Sequence, residues 1–150
     1  MQAVKQGDTV ADFALTDETG LERRLSDLLA EGPVVLFFYP MADSPGCTRE
    51  SCHFRDLAKE FAEAGGRRVG ISTAPPIKHR AWSERHSFDF PLLSDPGGAV
   101  AAQFGVQRRF GPMKRRTFVI DTDRKVLGVI NSELNMSAHA DRALQVLRSR

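Results

Sequence analysis

Two cysteines, Cys47 and Cys52, stand five residues apart in a chain that holds no others. Two thiols are too few for a disulfide framework, so a pair this close reads better as redox chemistry than as a structural staple. The thiolate, not the thiol, attacks, and a free thiol with a pKa of about 8.5 is only a few per cent ionised at neutral pH. Cys47 follows Ser44-Pro45-Gly46 at the start of a helical pattern, where unpaired backbone N–H groups and the positive end of the helix dipole are expected to face it. Lowering a thiol pKa by about two units takes about 2.7 kcal/mol, whereas a helix terminus supplies ~0.3–1 and at most ~2. A further donor or cation is needed. The candidates are the Ser44 hydroxyl and a guanidinium from Lys114-Arg115-Arg116. Spacing alone leaves the choice of arginine open, because that cluster reaches Cys47 only through tertiary folding.

Two other uses of the thiols are weaker. A metal or copper-carrying protein could recruit Cys47, Cys52 and His53, soft ligands that suit Cu(I) or zinc, but four intervening residues on a helix splay the two sulfurs. A thiol–disulfide oxidoreductase would be expected to use Cys-x2-Cys. The histidines at 53, 79, 86 and 139 are scattered and read as surface or locally bonded residues. No metal and no cofactor are expected.

The elements that must position Cys47 are legible from pattern. Phe13–Leu15 and Leu21–Leu25 flank Thr16-Asp17-Glu18-Thr19-Gly20 as an N-terminal hairpin, and Ser26 is expected to cap a short helical turn holding Leu28 and Leu29. Val34–Tyr39 is continuously apolar, the signature of a strand covered on both faces. Pro40 ends it, and Met41–Gly46 forms a loop before one helix running to Gly65-Gly66. On that helix Cys47, Ser51, Phe54, Ala58 and Phe61 share a face. Strands at 69–72 and 92–93 alternate with helices at 78–86 and 98–104. Residues 117–121 and 126–130 form a second hairpin, and a last helix carries Ala140, Leu144 and Leu147 on one side. This order predicts an α/β protein with a central mixed sheet flanked by helices on both sides. No repeat or linker interrupts it, so 1–150 reads as one domain.

A net charge of +2, with both signs interspersed, gives no field that would select nucleic acid or a membrane surface. The longest apolar run is far too short to span a bilayer, and the start MQAVKQGDTV lacks a secretory signal pattern. A cytoplasmic protein is expected.

The string Tyr39-Pro40-Met41-Ala42-Asp43-Ser44-Pro45-Gly46-Cys47 resembles the peroxiredoxin signature of Pro, three residues, Thr or Ser, two residues, Cys. Cys-x4-Cys narrows the resemblance to the peroxiredoxin Q, or bacterioferritin comigratory protein, subfamily. Phe54-Arg55-Asp56, Gly70-Ile71-Ser72, Phe90–Asp95, Phe104-Gly105-Val106 and Arg115–Asp121 match in order along nearly the whole chain. The resemblance implies a thioredoxin-like fold and a thiol peroxidase in which Cys47 is the peroxidatic cysteine and Cys52 the resolving one. Pro40 would shield Cys47 from water, Ser44 would hydrogen-bond the peroxide, Arg115 would be the family's arginine, and Glu50 would orient it. It further implies hydrogen peroxide and organic hydroperoxides as substrates, a thioredoxin-like dithiol reductant, and a monomer, with a dimer through loops flanking the site as the alternative. Trp82, Phe88 and Phe110 are given packing roles. Two loops depart from the subfamily pattern: Gln107–Lys114 is short, and Thr73-Ala74-Pro75-Pro76 replaces an acidic residue.

Five residues along an ideal helix turn the chain through about 500°, leaving the side chains about 140° apart and the α-carbons roughly 8–9 Å distant. A disulfide tolerates at most ~7 Å. With Cys47 on the buried face, Cys52 falls on the polar one, and residues 47 to roughly 55 are expected to unwind before the two can join.

Overall fold

The structure is a computed structural model that describes residues 3–108 and 110–150; Met1, Gln2 and Arg109 of the short Gln107–Lys114 loop lie outside the described residues. Seven strands form one mixed sheet: β1 (Ala14–Thr16), β2 (Glu22–Arg24), β3 (Val34–Phe38), β4 (Arg67–Ser72), β5 (Leu92–Ser94), β6 (Arg116–Ile120) and β7 (Val126–Asn131), in the order β2-β1-β5-β4-β3-β6-β7. The helices are α1 (Leu25–Leu29), α2 (Pro45–Asp56), α3 (Ala58–Ala64), α4 (Pro76–His86), α5 (Ala99–Phe104) and α6 (Met136–Arg148). The expected α/β architecture with an N-terminal hairpin is the observed one.

β3 is central for the reason its composition gives. All five of its residues are buried, and it pairs parallel with β4 and antiparallel with β6. A strand sends successive side chains to opposite faces, so β3 serves two cores. Val34, Leu36 and Phe38 pack with α1 and α5, among Leu25, Leu28, Phe104 and Phe118. Val35, Phe37 and Tyr39 pack on the other face, with Cys47, Phe54, Phe61, Trp82, Ala140 and Leu144 from α2, α3, α4 and α6.

Phe54 stacks on Phe37 with ring centroids 4.1 Å apart, which fixes the middle of α2 to the sheet. Gly70 permits this floor: a side-chain carbon there would meet Phe37 and Tyr39 at 3.1 Å and Leu92 at 2.8 Å. Gly128 does the same for α6, since a β-carbon at that position would lie 2.9 Å from Val146.

The structure differs from the sequence pattern within α1 and along the helix that follows β3. Ser26 lies inside α1 rather than capping it. Its hydroxyl instead donates to Asp12 at 2.7 Å, and its N–H donates to the same carboxylate at 2.9 Å. The expected single helix from Cys47 to Gly65 is two, broken at Leu57 (φ −98°, ψ 21°), and the apolar spacing continues across the break because both pieces lie on the same core. Of the four histidines, expected at the surface or locally bonded, His79 and His139 are fully buried and bonded. His79 is hydrogen-bonded to Tyr39, Ser72 and Ser94. Among the described residues no helix is long and apolar enough to cross a membrane.

Candidate active site around Cys47

The chain leaves β3 at Phe38, passes the buried Tyr39 and the half-buried Pro40, and turns through Asp43 in a left-handed conformation (φ 68°). Asp tolerates that region better than most residues, and Arg85 of α4 holds its carboxylate at 2.7 Å. Helix α2 begins at Pro45, two residues earlier than the expected Met41–Gly46 loop would place it. Proline has no N–H to leave unpaired at a first helical position. Cys47 is therefore the third residue of α2, and it is 0 % exposed.

Ser44 is the N-cap. Its oxygen accepts the Cys47 N–H at 3.3 Å, and its hydroxyl donates to the Met41 carbonyl at 2.8 Å. The hydroxyl hydrogen is thus committed to the loop, while an oxygen lone pair remains for a donor such as a peroxide O–H.

The antiparallel pairing of β3 with β6 sets Arg116 opposite Phe38, so the residues entering β6 lie beside the turn that leads to Cys47. Alternation then separates the two arginines. Phe118 and Ile120 face the core under α1 and α5, Val119 faces the core under α2 and α6, and Arg115 shares the parity of Val119. Arg115 is nearly buried, and its Nη1 donates to Glu50 Oε1 at 2.8 Å. The Cys47 side chain lies close enough to the same guanidinium to interact with it electrostatically. Gly46 leaves it space, since a β-carbon there would lie 3.4 Å from Arg115 Nη2. Its Nε is a buried donor with no partner among the described residues. Burial by itself would weaken the Arg115 cation, but the facing Glu50 and Cys47 hold its pKa above the ordinary value. The backbone N–H of Arg115 donates to Glu133 at 3.1 Å, which fixes the chain just ahead of β6.

Glu50 is 0 % exposed. Burial pushes its pKa up to about 8; Arg115 pulls the other way, and Glu133 adds to the rise. Between the ordinary 4.5 and about 8, the folded protein holds a proton that the unfolded chain has released. This contribution to stability is full below pH 4.5 and is lost as pH rises through about 8. Urea unfolding across that window should show stability falling with pH by an amount on the order of a few kcal/mol. Glu50→Gln, which cannot titrate, should flatten the slope.

Cys52 is half-buried, and neither cysteine is in a disulfide. Burial raises the Cys52 pKa, with Arg55 opposing and Asp56 reinforcing the rise. Thr48, next to Cys47, accepts a hydrogen bond from Trp82 Nε1 at 3.1 Å, so the only tryptophan is tied to the first turn of α2. Trp82 and Phe88 pack in the core on that side, while Phe110 is exposed. His53 bonds Asp141 at 2.8 Å and is not directed to the thiols as a third ligand.

Two residues of this cluster escaped the sequence reading. His139 hydrogen-bonds Thr117 at 2.8 Å and approaches Glu50 at 3.6 Å. A signal existed: His139 falls three or four residues from Met136 and Ala143, on the buried stripe of α6. Thr117 carried none, because a threonine in a strand is ordinary.

A family model described as the AhpC/TSA family matches residues 6–129. The crystal structure of peroxidoxin BcpB from Mycobacterium tuberculosis superposes with a TM-score of 0.94, at 65% identity and 97% coverage of both chains. The chloroplastic peroxiredoxin Q of Populus jackii is 36% identical over 97% of this chain and 69% of its own length. The bacterioferritin comigratory protein of Xanthomonas campestris superposes with a TM-score of 0.84, at 27% identity and 99% coverage of this chain and 98% of its own. With the buried Cys47 at a capped helix start and the Arg115–Glu50 pair beside it, these similarities mean that the chain belongs to the AhpC/TSA family and is a peroxiredoxin, a thiol-dependent peroxidase.

Proposed function

We propose that Cys47 reduces hydrogen peroxide and small organic hydroperoxides, that Cys52 resolves the product, and that a thioredoxin-like dithiol protein completes the cycle. The observation that carries this reading is a buried Cys47 at a capped helix start, with the Arg115 guanidinium, bonded to a fully buried Glu50, close enough to interact with it. The thiolate attacks one peroxide oxygen in line. An S–O bond forms as the O–O bond breaks, sulfur is oxidised to sulfenic acid, and the leaving alkoxide or hydroxide takes up a proton. Negative charge moves from sulfur to the leaving oxygen, where the unused Arg115 Nε–H is a buried donor ready to meet it. Ser44 accepts the peroxide O–H while keeping its bonds to Met41 and Cys47, and Pro40 limits water at the mouth. Two free thiols suit a reducing compartment, so the cytoplasm is the proposed location.

Resolution requires part of α2 to open. Its C-terminal half is fastened: Phe54 stacks on Phe37, Arg68 donates to the Phe54 carbonyl at 2.8 Å, and Arg55 donates to the His86 carbonyl at 2.7 Å. The N-terminal half depends on the Ser44 cap, the Thr48–Trp82 bond and the Arg115–Glu50 pair. The opening segment therefore ends just before Phe54, slightly short of the residue 55 expected from spacing. Unwinding brings Cys52 within reach of the sulfenic acid and removes the burial that raises its pKa. Cys52 then attacks sulfur, water leaves, and the disulfide is exposed to the reductant.

One equivalent of peroxide should join Cys47 to Cys52 and change Trp82 fluorescence. Amide protection should disappear through about residue 53 and persist from Phe54 through α3. A confirmed disulfide form with protection unchanged through Cys52 would sink the unwinding step. A Cys52→Ser protein that fails to form one sulfenic acid would sink the peroxide chemistry.

A further inference from the structure

Behind Arg115 and Glu50 lies a third fully buried group. His139 Nε2 is 2.7 Å from the Ser132 carbonyl, which can only accept, so Nε2 carries the ring hydrogen. Nδ1 of the neutral ring then presents a lone pair. It sits 2.8 Å from Thr117 Oγ1 and 3.6 Å from Glu50 Oε2. Glu50 Oε1 is taken by Arg115, whereas Oε2 is buried and has no hydrogen-bond partner among the described residues. Nδ1 can be satisfied by the Thr117 O–H, but an ionised Oε2 facing that lone pair, buried and without a hydrogen-bond partner among the described residues, is both repelled and unsolvated. One proton, held by either atom, removes the repulsion; at 3.6 Å the two are not hydrogen-bonded to each other. The Thr117 hydroxyl turns to donate to Nδ1 or to accept from it.

We propose that His139 is a positioning residue that acts on Arg115 through Glu50: the two share one proton, their net charge is zero, and the Arg115 charge is left to Cys47. Were Glu50 a lone carboxylate, Arg115 would be half of a neutral pair and Cys47 would face a dipole instead of a cation. The charged and titratable groups around the pair are Cys47 on α2, Arg115 at the entry to β6, Glu133 between β7 and α6, and Arg142 on α6. Burial raises Glu50 and lowers His139, and both shifts place the shared proton on the carboxyl. The inference rests on Cys47 being the attacking thiolate served by Arg115.

The test reads the thiolate directly, so it stands apart from peroxide turnover. In a Cys52→Ser background, the iodoacetamide alkylation rate of Cys47 is measured from about pH 5 to about pH 9. His139→Leu is expected to slow alkylation at neutral pH about tenfold and move the profile to higher pH. When Glu50→Gln is already present, no charge can develop at that position and His139→Leu should add nothing. Equal slowing in both backgrounds would reduce His139 to packing and overturn the proposal, as would an unchanged profile. Should His139→Leu not fold, the wild-type protein still decides. At neutral pH its infrared spectrum should hold a carboxylic-acid band that Glu50→Gln removes, or its nitrogen spectrum should show His139 protonated on both ring atoms. Finding neither overturns the proposal. Loss of peroxide turnover with the alkylation results intact would count against the proposed function and leave this inference standing.

Discussion

Cys47→Ser should reduce peroxide consumption to the background rate of the reductant alone, with no residual turnover at any peroxide concentration. The reason lies in the element. Sulfur attacking an O–O bond gains an oxygen and is itself oxidised, so the peroxide is reduced. A serine oxygen making the same attack would only exchange one O–O bond for another, and it is not ionised at neutral pH. The site's other parts cannot compensate, since the Ser44 cap, Arg115 and Glu50 all act on whatever stands at position 47. The fold should survive, because serine keeps the backbone N–H that Ser44 accepts and loses only the sulfur's packing near Val35 and Phe37. Cys52→Ser should separate the two halves of the cycle, consuming one equivalent of peroxide rapidly and then stalling with thioredoxin. Peroxide consumption and mass spectrometry together check both outcomes; full turnover by Cys47→Ser would overturn the assignment.

Arg115→Met is the second large effect, an expected fall in kcat/KM for peroxide of about 10²- to 10³-fold, the usual cost of removing one donor from a developing oxyanion. The variant loses three things at once: the electrostatic interaction with Cys47, the pair with Glu50 at 2.8 Å and the unpaired Nε–H. The first supports the thiolate, while the last is a donor with no partner among the described residues and is proposed to serve the leaving oxygen. Alkylation by iodoacetamide senses the thiolate without an O–O bond to break, so its rate should fall less than the peroxide rate. Equal falls would mean that Arg115 only ionises Cys47. Arg115→Lys should recover part of the alkylation rate and little of the peroxide rate, because an ammonium supplies charge without the fork that bonds Glu50 beside Cys47. Glu50 favours its protonated form when buried, so losing Arg115 leaves no stranded charge there. Thermal unfolding of Arg115→Met should confirm that the fall in rate is not a loss of folded protein.

Much of this site could be read along the chain because its first elements are local. Val34–Phe38 declares a doubly covered strand by composition, and Ser44-Pro45-Gly46-Cys47 contains the cap, the proline and the cysteine of one helix start. Chain neighbours within four residues interact through known backbone geometry, so the cap and the buried position of Cys47 needed no tertiary information. The opposite placement of Cys52 on α2 follows from helical rotation alone. The choice of Arg115 over Arg116 came from resemblance, yet strand parity contained it: Arg115 alternates with Thr117 and Val119, and Val119 belongs to the core beneath α2.

Other features depended on how separate elements were brought together. Ser26 reads as a cap until Asp12, fourteen residues earlier, takes both its N–H and its hydroxyl. Leu57 interrupts the helix although the apolar spacing runs on, because periodicity reports which face is buried and not whether the backbone bonds are continuous. His139 lies 89 residues beyond Glu50 in sequence, and only the docking of α6 against α2 and β6 brings its Nδ1 to 3.6 Å from the carboxylate. The sequence by itself determined the helix start that holds Cys47, the proposed nucleophile, and the separation of Cys52 from it, since both follow from backbone geometry over a few residues. Tertiary structure alone decided the charge environment of Cys47. Arg115, Glu50 and His139 come from three elements, and in a buried site the Coulomb and desolvation energies are set by distances in space that no spacing along the chain encodes.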